Sequence, residues 1–186
     1  MKHFFIFLLL TASVLISCEN DMKKVRELTM PESTSDKSFK EVNLIYTDSG
    51  NAKAVMTAPL LEVFTKNDKE KWVFPNGLKV EFYDTKETRE SEMTSNYGVF
   101  DQQLRKLTVQ NNVVLINFKK QDTLNTELLN WSQDSAKLYT DKMVLVKGRD
   151  GFYQAQGITA NETFSSYHLW KFKAPYIYIE NETNDK

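Results

Sequence analysis

Catalysis needs groups that exchange protons, attack carbon or hold a metal, and this sequence carries few of them. There are two histidines, His3 and His168, and one cysteine, Cys18. Zinc and redox sites draw several His and Cys ligands together, which this inventory does not supply. A Ser-His-Asp system would have to use His168, in Tyr167-His168-Leu169-Trp170, yet no G-x-S-x-G nucleophile elbow accompanies it. No G-x-x-x-x-G-K loop is present to cradle a nucleotide phosphate. Two carboxylate pairs, Glu87 with Glu90 and Asp134 with Asp141, have the residue types to flank a glycosidic bond. Both lie in charged stretches that read as solvated turns. The expectation is therefore a protein with no catalytic residue, no metal site and no cofactor, not an enzyme.

Cys18 points to a different chemistry. Lys2 and His3 precede an apolar run, residues 4–16, that is short for a bilayer span. The run ends in Leu15-Ile16-Ser17-Cys18, which resembles a bacterial lipobox. There a small residue precedes the cut, and the thiol accepts a diacylglyceryl group. Residues 1–17 then read as a lipoprotein signal peptide. Residues 18–38 read as a lipidated N-terminus and polar tether, with Pro31 and a Ser/Thr cluster. Cys18 is the expected lipid-attachment site, and one cysteine alone forms no internal disulfide. Several acyl chains hold a protein at a membrane far more firmly than one.

The remaining residues, 39–186, have the pattern of a single β domain. Hydrophobic residues make up 41% of the chain and aromatics 12%, enough for a core and typical of strands. A net charge of −1 argues against a nucleic-acid surface. The organising stretch is 104–160, where apolar and polar residues alternate with period two: Leu107 and Val109, Val113 and Leu115, Leu124 and Thr126. Strand ends are expected at Asn111-Asn112, 119–122, 132–135 and 148–151, a spacing that suits an antiparallel meander or a stacked set of hairpins. Residues 52–64 predict one strand or two, the second and third of the domain, with Pro59 at the centre as an edge or bulge. A weak internal repeat links Ala54-x-x-Thr57-Ala58-x-x-Leu61, Met93-x-x-x-Tyr97-x-x-Phe100 and Leu124-x-Thr126-x-x-Leu129-x-Trp131. Three runs are apolar on both faces: 113–116, 143–146 and 176–179. Either extra cover on the outer face or an apolar groove accounts for them.

Motifs in this stretch are similar to those of the LptC family of lipopolysaccharide-transport proteins. The residues that carry the resemblance are Asn112-Val113-Val114, Leu124-x-Thr126-x-x-Leu129-x-Trp131, Tyr139-Thr140-Asp141 and Gly157-x-x-Ala160-Asn161. Phe74-Pro75-Asn76-Gly77-Leu78 and Phe82-Tyr83-Asp84 look like the Bacteroidetes-type version. The resemblance implies an all-β fold, an open twisted antiparallel β-jellyroll with an apolar interior groove. It also implies a relay that accepts lipopolysaccharide from the inner-membrane LptB/LptF/LptG ABC transporter and passes it to LptA. Such a protein would be periplasmic and anchored by lipid to the inner membrane, whereas the better-known pattern keeps a transmembrane helix. Phe82, Val109, Val114 and Ile116 are the expected groove-lining residues. Tyr176, Ile177, Tyr178 and Ile179, after Pro175, are the expected edge strand for the partner. The alternative reading is a surface lipoprotein with a β-sandwich that binds or cleaves glycans, using aromatics such as Trp72, Phe74, Phe82, Trp131 and Trp170.

Overall fold

The structure, a computed structural model, describes residues 35–84, 86–149 and 151–172. These belong to one compact unit, Ser33–Lys186. They form thirteen strands, with no helix among the described residues. The strands are β1 (Lys37–Asp48), β2 (Asn51–Lys66), β3 (Lys69–Phe74), β4 (Leu78–Tyr83), β5 (Arg89–Ser95), β6 (Tyr97–Asp101) and β7 (Lys106–Asn117). They continue with β8 (Asp122–Ser132), β9 (Lys137–Thr140), β10 (Val144–Gly148), β11 (Gly151–Ala155), β12 (Ile158–Asn161) and β13 (Tyr167–Leu169).

Every pairing is antiparallel, and all the strands join one sheet. The register simplifies the picture. β2 pairs β3 through residues 62–66 and β4 through residues 54–57. β7 pairs β6 and then β5 along a single edge. β8 likewise pairs β9 and β10 along a single edge. Thus β3 runs on into β4, β5 into β6, β9 into β10 and β11 into β12, as long strands interrupted once. The chain is a meander of such strands, one of the two arrangements that the spacing suited.

The interruptions lie beside one another and form a crease. Asn96 N–H donates to the carbonyl of Asn111 at 3.0 Å. Gly77 backs onto Ser95, where a Cβ would stand 2.4 Å from the carbonyl oxygen, at a φ of +82°. Gly157 does the same against Thr140, at 2.8 Å and a φ of +129°. Only glycine takes those conformations without strain and allows so close a backbone approach.

The crease lets the sheet fold over on itself. Neighbouring strands lie about 4.8 Å apart, so Trp131 of β8 would be roughly 14 Å from β4 and 24 Å from β1 in a flat sheet. Yet the Trp131 ring lies 5.1 Å from Phe82 of β4 and 5.7 Å from Tyr46 of β1, both edge-to-face. Two half-sheets therefore face each other. One holds β3, β6, β9, β12 and β13 with the adjoining parts of β2, β7 and β8. The other holds β4, β5, β10 and β11 with the remaining parts. One apolar core fills the space between them. Among the described residues, β1 pairs only with β2, β11 only with β10 and β13 only with β12, so the sheet stays open. This is an all-β, antiparallel jellyroll.

One strand expectation needs correction and another is narrowed. Asn111-Asn112 does not end a strand. Both residues take left-handed φ, 64° and 54°, and carry β7 through the crease as a bulge. Of the one or two strands expected over residues 52–64 there is one, part of the 16-residue β2. Pro59 is tolerated because it is exposed and has no ladder partner on either side: it lies in the gap between the β4 and β3 pairings, and the β1 register skips Glu41 opposite it.

Candidate functional site

The interior between the half-sheets is the first candidate. Phe82 and Val109 both point into it, at 0% and 1% exposure. Val114 and Ile116 do not. They are half-buried on the opposite face of β7, and Val113 and Leu115 are the inward pair. Grouping Val109 with Val114 and Ile116 requires the faces to invert at Asn111-Asn112. The two left-handed residues instead carry the chain across without inversion, so the odd-numbered side chains stay inside along all of β7.

The interior has an apolar mouth. A cavity of about 280 Å³ opens between Leu44, Tyr46 and Met56 on one side and Trp72, Phe100 and Trp131 on the other. Gln102, Arg105 and Gln133 form its polar rim, and Arg105 is held by Asp134 at 2.7 Å. β1 covers this region only in part. Val42, Leu44 and Tyr46 pack on the core, Ile45 on the outer face is exposed, and Phe39, on the same face as its buried partner Leu61, is left half uncovered. The Trp131 Nε1–H is buried without a hydrogen bond of good geometry. It faces the carboxyl of Glu162. Burial raises the pKa of that carboxyl, and the Trp131 N–H and the Lys53 charge draw it part of the way back.

Glu162 belongs to a loop, residues 161–166, that closes another part of the interior. The loop leaves β12 on one half-sheet and is tied to the other. Asn117 of β7, fully buried, donates from Nδ2 to the Thr163 carbonyl at 2.8 Å. Ser91 of β5, also fully buried, donates to the Glu162 carbonyl at 3.4 Å. Phe164 is fully buried and stacks on Tyr167, with ring centroids 4.9 Å apart. Asn161 organises the loop from within, donating to Thr163 Oγ1 and Ser165 Oγ and accepting from the Ser166 N–H. The sequence reading missed this clasp. Its one signal was Asn161 at the end of the Gly157-x-x-Ala160-Asn161 motif, followed by polar residues around a single Phe.

The groups weighed for catalysis are dispersed. His168 is exposed on β13, opposite Thr159. Glu87 is exposed, Glu90 sits at the polar cavity described below, Asp134 is committed to Arg105, and Asp141 is exposed. Among the described residues no three His, Cys, Asp or Glu side chains gather as a metal site. No described helix is long and apolar enough to cross a membrane. Cys18 and the strand residues Tyr176, Ile177, Tyr178 and Ile179 lie outside the described residues.

Comparison with known families gives one match. The profile of a family described as lipopolysaccharide-assembly, LptC-related, aligns with residues 4–171, most of the chain. A search of curated proteins finds no match.

Proposed function

Since the chain belongs to the LptC-related family, whose role lies in lipopolysaccharide transport, we propose that it is the periplasmic relay of that system. It accepts lipopolysaccharide from the LptB/LptF/LptG transporter and hands it to LptA. A lipid on Cys18 anchors it to the inner membrane, and the jellyroll interior shelters the acyl chains. The observation that carries this reading is the apolar interior between two half-sheets, with a mouth at Trp131. Each methylene left in water costs about 0.8 kcal/mol. A many-chained lipid therefore needs such cover along its whole route. The interior is packed with its own side chains, so loading requires the half-sheets to part along their free ends, beginning at the mouth. Energy for that step comes from the transporter, since this sequence has no nucleotide-binding loop.

The partner edge is proposed at Tyr176, Ile177, Tyr178 and Ile179, where main-chain pairing would extend the sheet into LptA. Proline at Ile177 or Tyr178 should then weaken pull-down of LptA while the circular-dichroism spectrum stays the same.

The interior is tested with a photo-crosslinking amino acid placed singly along β7 of the full chain. Val109, Val113 and Leu115 should give lipopolysaccharide adducts, and Val114 and Ile116 should not. Equal labelling of both faces, or none at either, would overturn the proposal.

A further inference from the structure

A second cavity, of about 500 Å³, lies where the β7–β8 turn meets the β10–β11 turn. This is within the ~300–1,000 Å³ range of ordinary ligand sites. Its rim is cationic. Lys119 and Lys120 come from the first turn and Arg149 from the second, and all three are exposed. None of them forms an ion pair with another described residue. Tyr153, Ser165 and Tyr167 add hydroxyls. Two carboxylates also line the cavity. Asp122 is 8% exposed and accepts a hydrogen bond from the Tyr167 hydroxyl at 3.3 Å. Glu90 is the other. Asp84 lies near enough to Lys119 to feel its charge, but its own oxygen accepts the N–H groups of Lys86 and Thr88.

The cationic turn is pinned from below. Asn117 Oδ1 accepts the Lys120 N–H at 2.7 Å, while its Nδ2 holds the Thr163 carbonyl. One buried amide thus fixes both the turn that carries the lysines and the loop that carries Ser165. Gly148 keeps the floor clear, since a Cβ there would lie 3.4 Å from Asp122 Oδ1 and 3.5 Å from the Tyr153 ring. Tyr167 stacks on Phe164, which is fully buried, so a single residue separates the polar cavity from the apolar interior.

We propose that this cavity binds a phosphate ester on a sugar, with the three cations and the Tyr153 and Ser165 hydroxyls around the phosphate oxygens, while the Tyr167 hydroxyl stays with Asp122. A dianionic phosphate suits a rim on which three cations outnumber the two lining carboxylates, and Arg and Lys are the usual phosphate partners. The phosphate chemistry rests on the cavity alone. The further step, that the sugar phosphate is the headgroup of lipopolysaccharide, rests on the proposed function.

The test uses the full-length chain in detergent and three probes: lipopolysaccharide, the same material after enzymatic dephosphorylation, and glucosamine 1-phosphate. Two variants are compared with wild type. One is the triple Lys119→Gln, Lys120→Gln, Arg149→Gln, and the other is Gly148→Val, which fills the floor with all cations in place. Both should lose about tenfold or more in affinity for lipopolysaccharide and nothing for the dephosphorylated form. Loss confined to glucosamine 1-phosphate would keep the phosphate site and assign it to a soluble sugar phosphate. No loss for any probe in either variant, or equal loss for both lipid forms, overturns the proposal. Crosslinking at Val113 and Leu115 is run on the same samples. Adducts there with no phosphate dependence would sink this site and leave the transport reading standing.

Discussion

Trp131 is the residue on which the two half-sheets meet, since its ring touches Phe82 across the interior and Tyr46 of the edge strand. Trp131→Ala should therefore destabilise the domain by about 3–5 kcal/mol, at the upper end of core truncations, and Trp131→Phe by clearly less. Urea unfolding of the two variants checks the order. Glu162, beside it, gives a pH signature. Burial raises its folded-state pKa above the ordinary value of 4.5, so the folded chain holds the proton more tightly than the unfolded one. Its contribution to stability is full below that value and is lost as pH rises through the raised one. Glu162→Gln should flatten stability across that window, whereas an unchanged slope would mean that the carboxyl is not desolvated. Glu81 has the opposite sign. Burial pushes it up, but hydrogen bonds from Arg89 and Lys79 together outweigh that and hold it low, so its contribution fades in acid. Residue types were readable where burial is total, as at Phe82 and Val109. The Val114 and Ile116 assignment failed because parity through a crease depends on backbone φ, which the alternation of side chains does not encode.

At the scale of elements, turn chemistry was legible and crease chemistry was not. The expected ends near 119–122, 132–135 and 148–151 are all turns, because Lys, Asp, Ser and Gly clusters have no other use between apolar runs. Asn111-Asn112 has the same local character, yet it sits inside a strand, since both Asn and a bulge favour left-handed backbone. The weak repeat has a structural meaning that its letters did not reveal. In Leu124-x-Thr126-x-x-Leu129-x-Trp131 the double x falls at the register shift, and it lets Thr126 and Leu129 both face inward despite their odd spacing. Two glycines separate the effects at work in the crease. Gly77→Ala forces a Cβ against the Ser95 carbonyl at a left-handed φ, while Gly50→Ala meets the same φ with open space around it. Gly50→Ala should cost about 1 kcal/mol from conformation alone, and Gly77→Ala distinctly more. Thermal melts of the pair measure the difference. Equal losses would mean that the crease yields without cost.

For the whole molecule, the proposed relay asks for two things that no single element supplies: a covered interior and a fixed place beside the transporter. The fold supplies the first through non-local contacts. Phe82 and Trp131 lie 49 positions apart in the sequence and touch only because every strand between them bends at one line. Alternation can predict strands, but it carries no direct record of that shared bend. The proposed function gives the second requirement to a lipid on Cys18 and the polar stretch after it, and that proposal makes a separable demand. If the anchor only positions the jellyroll, its chemistry should be replaceable. Cys18→Ala should then fail to support growth of a host depleted of the wild-type chain, with lipopolysaccharide accumulating at the inner membrane. Fusing an unrelated transmembrane helix ahead of residue 39 in that variant should restore both growth and export. Mass spectrometry of the mature N-terminus, checked for an acylated Cys18, shows whether the first loss is one of lipidation. Full export by unacylated Cys18→Ala would remove the anchor from the mechanism. Failure of the fused helix to rescue would mean that residues 18–38 contribute more than reach, by contacts of their own with the transporter.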